Sequence, residues 1–319
     1  MISKMDNTIC HWTKLAARLR VSGSDAATFL QGQFSNDLRR AEPCPATYGL
    51  WLNHKGRALA DSHVLQVGPN EFEIISRTSA SATIRERLET YIIADDVVVE
   101  DVTGGCVAAV IAGPRIGEVL EGLGAPGLAG PVFARVGDLV ILPARCDAGP
   151  SWFVVAPEAH VADLRSGFER LAVREVDAAV FESRRLAAGI PSVPDELGPD
   201  DLPMEGGLEH DAISFTKGCY LGQEVMARLH NLGQVRRRLY LVRLAPGAAV
   251  PARGTPLFAG AQRLGDLRAA VPAVDAVGGG GLGLAMLQAH AAQPGLALSV
   301  AADAPPTVHV ERLAEGRAP

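Results

Sequence analysis

Lys217-Gly218-Cys219-Tyr220-Leu221-Gly222-Gln223-Glu224 places an ammonium, a thiol, an amide and a carboxylate in one short stretch of a 319-residue chain. A thiol beside a lysine at a helix start is held toward the thiolate, the form that attacks, is oxidised or binds metal. The spacing predicts such a start: a short strand ending at Lys217-Gly218, then a helix from near Gly222 with Leu221, Val225, Leu229 and Leu232 as its apolar stripe. From Asp211 to Tyr240 five basic residues (Lys217, Arg228, Arg236, Arg237, Arg238) face two acidic ones (Asp211, Glu224), giving +3 within a chain of net charge −6. Arginines, a lysine and free N–H groups at a helix start suit a carboxylate or phosphate ligand.

Each of these residues has a plainer alternative. Glu224 and Arg228 are spaced as a surface helix pair, acid first. Cys219 is readable as a small buried hydrophobe and Tyr220 as core. The triple arginine is readable as a solvated strand edge that discourages aggregation. His54 and His63 flank a turn and read as surface residues rather than ligands.

The elements that must position this stretch alternate along the chain. Strand signals lie at Ala17–Val21, Tyr48–Leu52, Ala58–Val67, Glu71–Ser76, Val97–Glu100, Val107–Ala112, Leu139–Leu142 and Trp152–Val155. Helical periodicity marks Ala26–Gln31, Ala80–Tyr91, Gly117–Leu123, Glu158–Leu171 and Ala178–Ala188. Two rounds of strand and helix with adjacent hairpins predict an α+β fold with a ferredoxin-like layer rather than a doubly wound parallel sheet. A loop rich in Pro, Asp and Gly then runs from Gly189 to Gly207, long enough to read as functional. Beyond Val235 short strand signals alternate with Gly/Pro connections, predicting a small β-barrel, with Gly278–Gly281 as a turn. The expected division is residues 1–234 and 235–319.

With 48% hydrophobic and 21% charged residues, disorder is excluded. The net negative charge argues against coating nucleic acid by bulk charge. Met1–Arg20 lacks the apolar run of a signal peptide, and the run Cys106–Ala112 stops at Gly113-Pro114, so a cytoplasmic protein with no membrane span is expected. The five cysteines are widely spaced with no C-x-x-C pair, which favours reduced thiols, and no metal site is expected.

The segment Lys217–Glu224 resembles the K-G-C-Y-x-G-Q-E signature of the YgfZ family, folate-binding proteins that support iron–sulfur enzymes and tRNA modification. The likeness extends through Gly189-Ile190-Pro191, Pro203-Met204-Glu205, Ser214-Phe215 and Val225-Met226-Ala227-Arg228, and to Phe29–Asp37 and Gly56-Arg57 near the start. That family is similar in fold to the T-protein of the glycine cleavage system, an aminomethyltransferase that uses tetrahydrofolate. The resemblance therefore implies an α+β body around a central opening that holds tetrahydrofolate or a derivative, followed by a β-barrel.

The resemblance also implies roles. Cys219 becomes the redox-active or partner-facing thiol and, with Lys217, the catalytic pair. Lys217 and Arg228, with Arg236, would meet the anionic part of folate or of a partner. Glu205, Tyr220, Gln223 and Glu224 join Arg228 as cofactor-binding residues, Glu205 and Gln223 exchanging hydrogen bonds with a pterin-like ring. Iron–sulfur enzymes or cluster-assembly proteins and tRNA-modification enzymes are the expected partners of a monomer. T-proteins carry a catalytic aspartate where this chain runs Ile75–Thr83 with no carboxylate before Glu86. A folate-dependent one-carbon transferase or demethylase is the rival reading, and a tRNA-binding adaptor with regulatory folate is a third.

Overall fold

The computed structural model describes residues 8–39, 42–272 and 280–315. In chain order its elements are β1 (Ile9–Lys14), β2 (Ala17–Ser22), α1 (Ala26–Gln33), β3 (Ala46–Leu52), β4 (Ala58–Gly68), β5 (Glu71–Ser76), α2 (Ser81–Glu89) and β6 (Val98–Asp101). There follow β7 (Cys106–Ala112), α3 (Ile116–Gly122), β8 (Ala134–Val136), β9 (Leu139–Pro143), β10 (Ser151–Pro157), α4 (Val161–Arg170), β11 (Arg174–Glu175) and α5 (Ala178–Ala187). The rest comprises α6 (Gln223–Leu232), β12 (Arg237–Leu244), β13 (Pro256–Ala259), β14 (Gln262–Pro272), β15 (Gly281–Gln288), β16 (Ala297–Leu298) and β17 (Val308–Leu313).

Three sheets result, ordered β11-β1-β7-β10-β9-β8, β3-β4-β5-β2-β6 and β13-β14-β15-β12-β17-β16. Every described pairing is antiparallel except the short one between β1 and β11. Period-two alternation decides what each face meets. In β7, Ala108 and Val110 join Leu65 and Ile75 of the second sheet in one core, while Ala109 and Ile111 pack against Leu120 of α3 and Phe168 of α4. Likewise Val64 and Ile74 turn away from that shared core toward Leu30 of α1 and Ile84 and Leu88 of α2. Two sheets thus face each other with helices on their outer sides, the ferredoxin-like layering expected, present twice.

The third sheet is the barrel expected from the C-terminal texture. Its outermost strands meet through Phe258 and Ser299, whose backbones exchange two hydrogen bonds of 2.9 Å. A further core joins this barrel (Leu239, Leu284) to Leu50 and Leu52 of β3 and Met226 of α6. Among the described residues no helix is long and apolar enough to cross a membrane.

Several expectations are corrected. No strand precedes Lys217; among the described residues none lies between Glu175 and Arg237. The backbone there bonds instead to the end of α1, Ser214 N to Ser35 O and Leu221 N to Gly32 O. Of the triple arginine, Arg237 and Arg238 open β12, which lies between β15 and β17 and is not an edge, and Arg236 precedes it. The helix expected over Glu158–Leu171 begins as a 3-10 turn and becomes α-helical at Val161. Strands β1, β8, β11 and β13 were not anticipated. Gly278 and Gly279 of the expected turn lie outside the described residues, as does the side chain of Leu232.

Candidate functional site

A cavity of about 600 Å³ lies between the first two sheets and the segment following the long loop. Tyr48 from β3, His63 from β4, Trp152 from β10 and Arg145, two residues past β9, line it, with Asn36 and Asp211 on irregular segments. The walls are mostly apolar and the polar groups converge, as in small-molecule sites generally.

These polar groups form a connected series. Arg145 is buried and its Nε donates to Asp211 Oδ2 at 3.0 Å, while its guanidinium lies 4.0 Å from the centre of the Tyr48 ring. The Tyr48 hydroxyl donates to Asp61 Oδ2 at 3.0 Å, and the Ser76 hydroxyl to Asp61 Oδ1 at 3.2 Å. The Ser79 hydroxyl lies 2.9 Å from both Asp61 Oδ1 and the Val193 carbonyl. Burial pushes the Asp61 carboxyl up from its ordinary value despite these donors and Arg145, and pushes Tyr48 well above the usual phenol range. His63 packs between Tyr48 and Phe153, at ring separations of 5.2 and 6.3 Å. Burial, then the Arg145 charge, drives its pKa down to about 3, so the ring is neutral at physiological pH.

Behind Tyr48, His63 and Arg145 a chamber of about 30 Å³ is bounded by Asp61, Arg77 and Ser192. Its volume matches about one water molecule, and Ser192 Oγ, buried, has no hydrogen-bond partner among the described residues.

The signature segment is built differently. Lys217 is 5% exposed, and its Nζ donates to the carbonyls of Gln31, Phe34 and Asn36 at 2.6, 2.7 and 2.9 Å. Its ammonium therefore sits on the C-terminal end of α1, where unpaired carbonyls attract a cation. Burial pulls its pKa down to about 8. Gly222 caps α6 with φ +85°, and a Cβ there would stand 2.8 Å from Asn53 O and 3.1 Å from Gly56 Cα. Only glycine lets the start of α6 rest on the Asn53–Arg57 turn.

Cys219 is exposed on this braced segment, whereas Tyr220 is buried with its hydroxyl unpartnered among the described residues. Glu224 and Arg228 are exposed, and among the described residues no ion pair joins them. Gln223 is half-buried in the first turn of α6. Glu205 is buried elsewhere: Arg237 donates to its Oε1 and Oε2 at 3.0 and 3.1 Å, and Oε2 accepts from Leu202 N at 2.8 Å. Arg237 and Arg268 also hold Asp201, which stitches the long loop to the barrel.

None of the seven residues singled out from the sequence lines the central cavity. Cys219, Lys217, Tyr220, Gln223, Glu224 and Arg228 stay together around the start of α6, while Glu205 belongs to the loop stitch. Asn36 links the two regions. Its carbonyl accepts from Lys217, and its amide donates to the carbonyls of Tyr48 and Asp211 at 2.9 and 2.8 Å. Tyr48, Asp61, Arg145 and Asp211 were missed, and His63 is buried in the cavity wall rather than at the surface. A histidine between valine and serine on a run of strand residues, Asp61-Ser62-His63-Val64, was the available signal. Among the described residues no group of three or more His, Cys, Asp or Glu side chains is placed to hold a metal ion.

Facing antiparallel sheets with a cavity between them and a C-terminal barrel define the aminomethyltransferase fold. The GCVT N-terminal domain family matches residues 10–128. The solved glycine cleavage system aminomethyltransferase T from Bartonella henselae superimposes with a TM-score of 0.80, at 17% identity, over 98% of this chain and 88% of that one. The human mitochondrial iron-sulfur cluster assembly factor IBA57 is 31% identical over 84% of this chain and 74% of its own length. The tRNA-modifying protein YgfZ of Edwardsiella ictaluri is 26% identical over 70% of this chain and 68% of its own. The chain belongs to the IBA57/YgfZ family.

Proposed function

We propose that this protein supports the assembly or repair of iron–sulfur enzymes, including those that thiolate tRNA, and binds tetrahydrofolate or a derivative in its central cavity. The name and 31% identity of the human relative support the first part. The observation that carries the second is the cavity itself: about 600 Å³, with Tyr48 and Trp152 as aromatic walls and donors and acceptors converging at Asn36, Arg145 and Asp211. A pterin ring needs flat apolar contact together with both donors and acceptors, so the group fits. Bound folate would supply a carrier for a one-carbon unit; this chain's residues bind it, orient it and exclude water. Cys219 acts as the partner-facing thiol, and Lys217 acts through position, fixing the segment that presents it. The separation of unpaired thiols fits a reducing compartment, here the cytoplasm.

Calorimetric titration with tetrahydrofolate tests the cavity, with roughly micromolar affinity expected. Gly117 lies in α3 on the cavity lining, and a Cβ there meets nothing within 4 Å, so Gly117→Leu should occupy the site without a backbone clash and abolish the heat. Binding unchanged by that substitution would place folate elsewhere. In cells lacking the protein, iron–sulfur enzyme activities should fall and be restored by the wild-type chain but not by Cys219→Ser.

A further inference from the structure

A second, wider cleft of about 930 Å³ lies between the end of α6, the residues leading into β12 and the end of β15. Arg57, Arg236, Arg237 and His290 bring basic groups to its lining, and Leu202 and Leu229 bring apolar surface. Its carboxylate, Glu205, already has both oxygens held by Arg237. Arg57 uses one guanidinium nitrogen on the Asp200 carbonyl at 2.7 Å. The exposed Arg236 side chain has no hydrogen-bond or ion-pair partner among the described residues. A chain of net charge −6 thus keeps cationic groups with unused donors around a partly apolar cleft.

We propose that this cleft binds an acidic segment of a partner protein, its carboxylates meeting Arg57 and Arg236 and an apolar side chain resting on Leu202 and Leu229. Complementary charge steers encounter and selects partners, and apolar contact adds affinity. The lining favours a peptide over single-stranded RNA. No Phe, Tyr or Trp lines the cleft to stack bases. Nor does the inference depend on folate, because the central cavity shares no lining residue with this cleft.

The test uses the full chain and a short fluorescent peptide of Glu, Asp and Leu, followed by anisotropy at physiological salt. Saturable binding is expected, weakened about tenfold or more by Arg236→Glu. Arg263→Glu makes the same charge change at an exposed barrel position outside the cleft and should leave binding as it was. A peptide with Lys in place of the acids should not bind, and neither inorganic phosphate nor a uridine-rich RNA should displace the acidic one at comparable concentration. Absence of saturable binding overturns the proposal, and so does equal weakening by both substitutions, which would indicate bulk charge. Tighter binding of the RNA would assign the cleft to nucleic acid instead.

Discussion

Lys217 Nζ lies 2.7 Å from the carbonyl oxygen of Phe34, the C-cap of α1, although 183 residues separate the two in sequence. The contact fastens the thiol-bearing segment to the same strand–helix layer that walls the central cavity. Lys217→Met keeps the stem of the side chain and removes the charge, leaving three carbonyls without their donor. The expected loss is about 2–4 kcal/mol of stability, since buried acceptors stripped of a charged partner are costly. Urea unfolding of both proteins measures it; a loss below about 0.5 kcal/mol, the range of ordinary surface substitutions, would show that the ammonium bears little of the segment's anchoring.

His63 provides a pH dependence with a definite sign. Its folded pKa is about 3 against an ordinary 6.5, so between those values the unfolded chain holds a proton that the folded one does not. Stability therefore falls as pH drops from about 6.5 toward 3, with a slope approaching about 1.4 kcal/mol per pH unit for this one group. His63→Leu removes that contribution, so the wild type should lose ground to the variant as the medium is acidified. A wild-type minus variant difference independent of pH from 7 to 4 would mean that the ring is solvated in the folded state.

The signature segment was legible because its chemistry lies in consecutive residues, and the barrel because Gly/Pro punctuation survives in sequence. The layered sheets were legible from alternation such as that of Arg18 and Arg20 with Leu19 and Val21. The cavity was not. Tyr48, Asp61, Arg145 and Asp211 come from distant parts of the chain, and only the packing of two sheets brings them together. The anchorage of Lys217 was hidden for a related reason. Its partners are main-chain carbonyls, which have no sequence signature, so nothing in the spacing pointed to the end of α1.

Alkylation should sort the five thiols by environment. Cys219 and Cys44 are exposed, whereas Cys10 and Cys146 are buried. Burial, aided by the Glu175 charge, pushes Cys10 up to about 12, and burial raises Cys146 as well. Limiting iodoacetamide at neutral pH, read by peptide mass spectrometry, should modify Cys219 and Cys44 first, the half-buried Cys106 next, and Cys10 and Cys146 last. Early labelling of Cys10 or Cys146 would require an opening of the first sheet that the packing does not provide.

The stretch from Ser76 to Thr83 presents hydroxyls rather than a carboxylate, and those of Ser76 and Ser79 face Asp61. The protein should therefore release no ammonia from an aminomethylated lipoyl carrier in the presence of tetrahydrofolate. Turnover near about one per second, an ordinary enzymatic rate, would mean that another group takes the place of the missing aspartate.

The bonds from Arg237 and Arg268 to Asp201, and from Arg237 to Glu205, also impose an order on biosynthesis. Asp201 leaves the ribosome 36 residues before Arg237 and 67 before Arg268. Until both arginines have been made, the long loop carries carboxylates whose burial lacks its compensating cations, and burying them alone would be strongly unfavourable. The two facing sheets can gather cotranslationally and hold the start of the loop, Ser79 donating to the Val193 carbonyl and Arg185 to Glu196, but the part around Asp201 and Glu205 closes only when the barrel strands arrive. A pause in translation after α6 would thus hold the nascent chain with this part of the loop still open, a state that limited proteolysis of stalled ribosome complexes would detect as cleavage between Gly198 and Gly207.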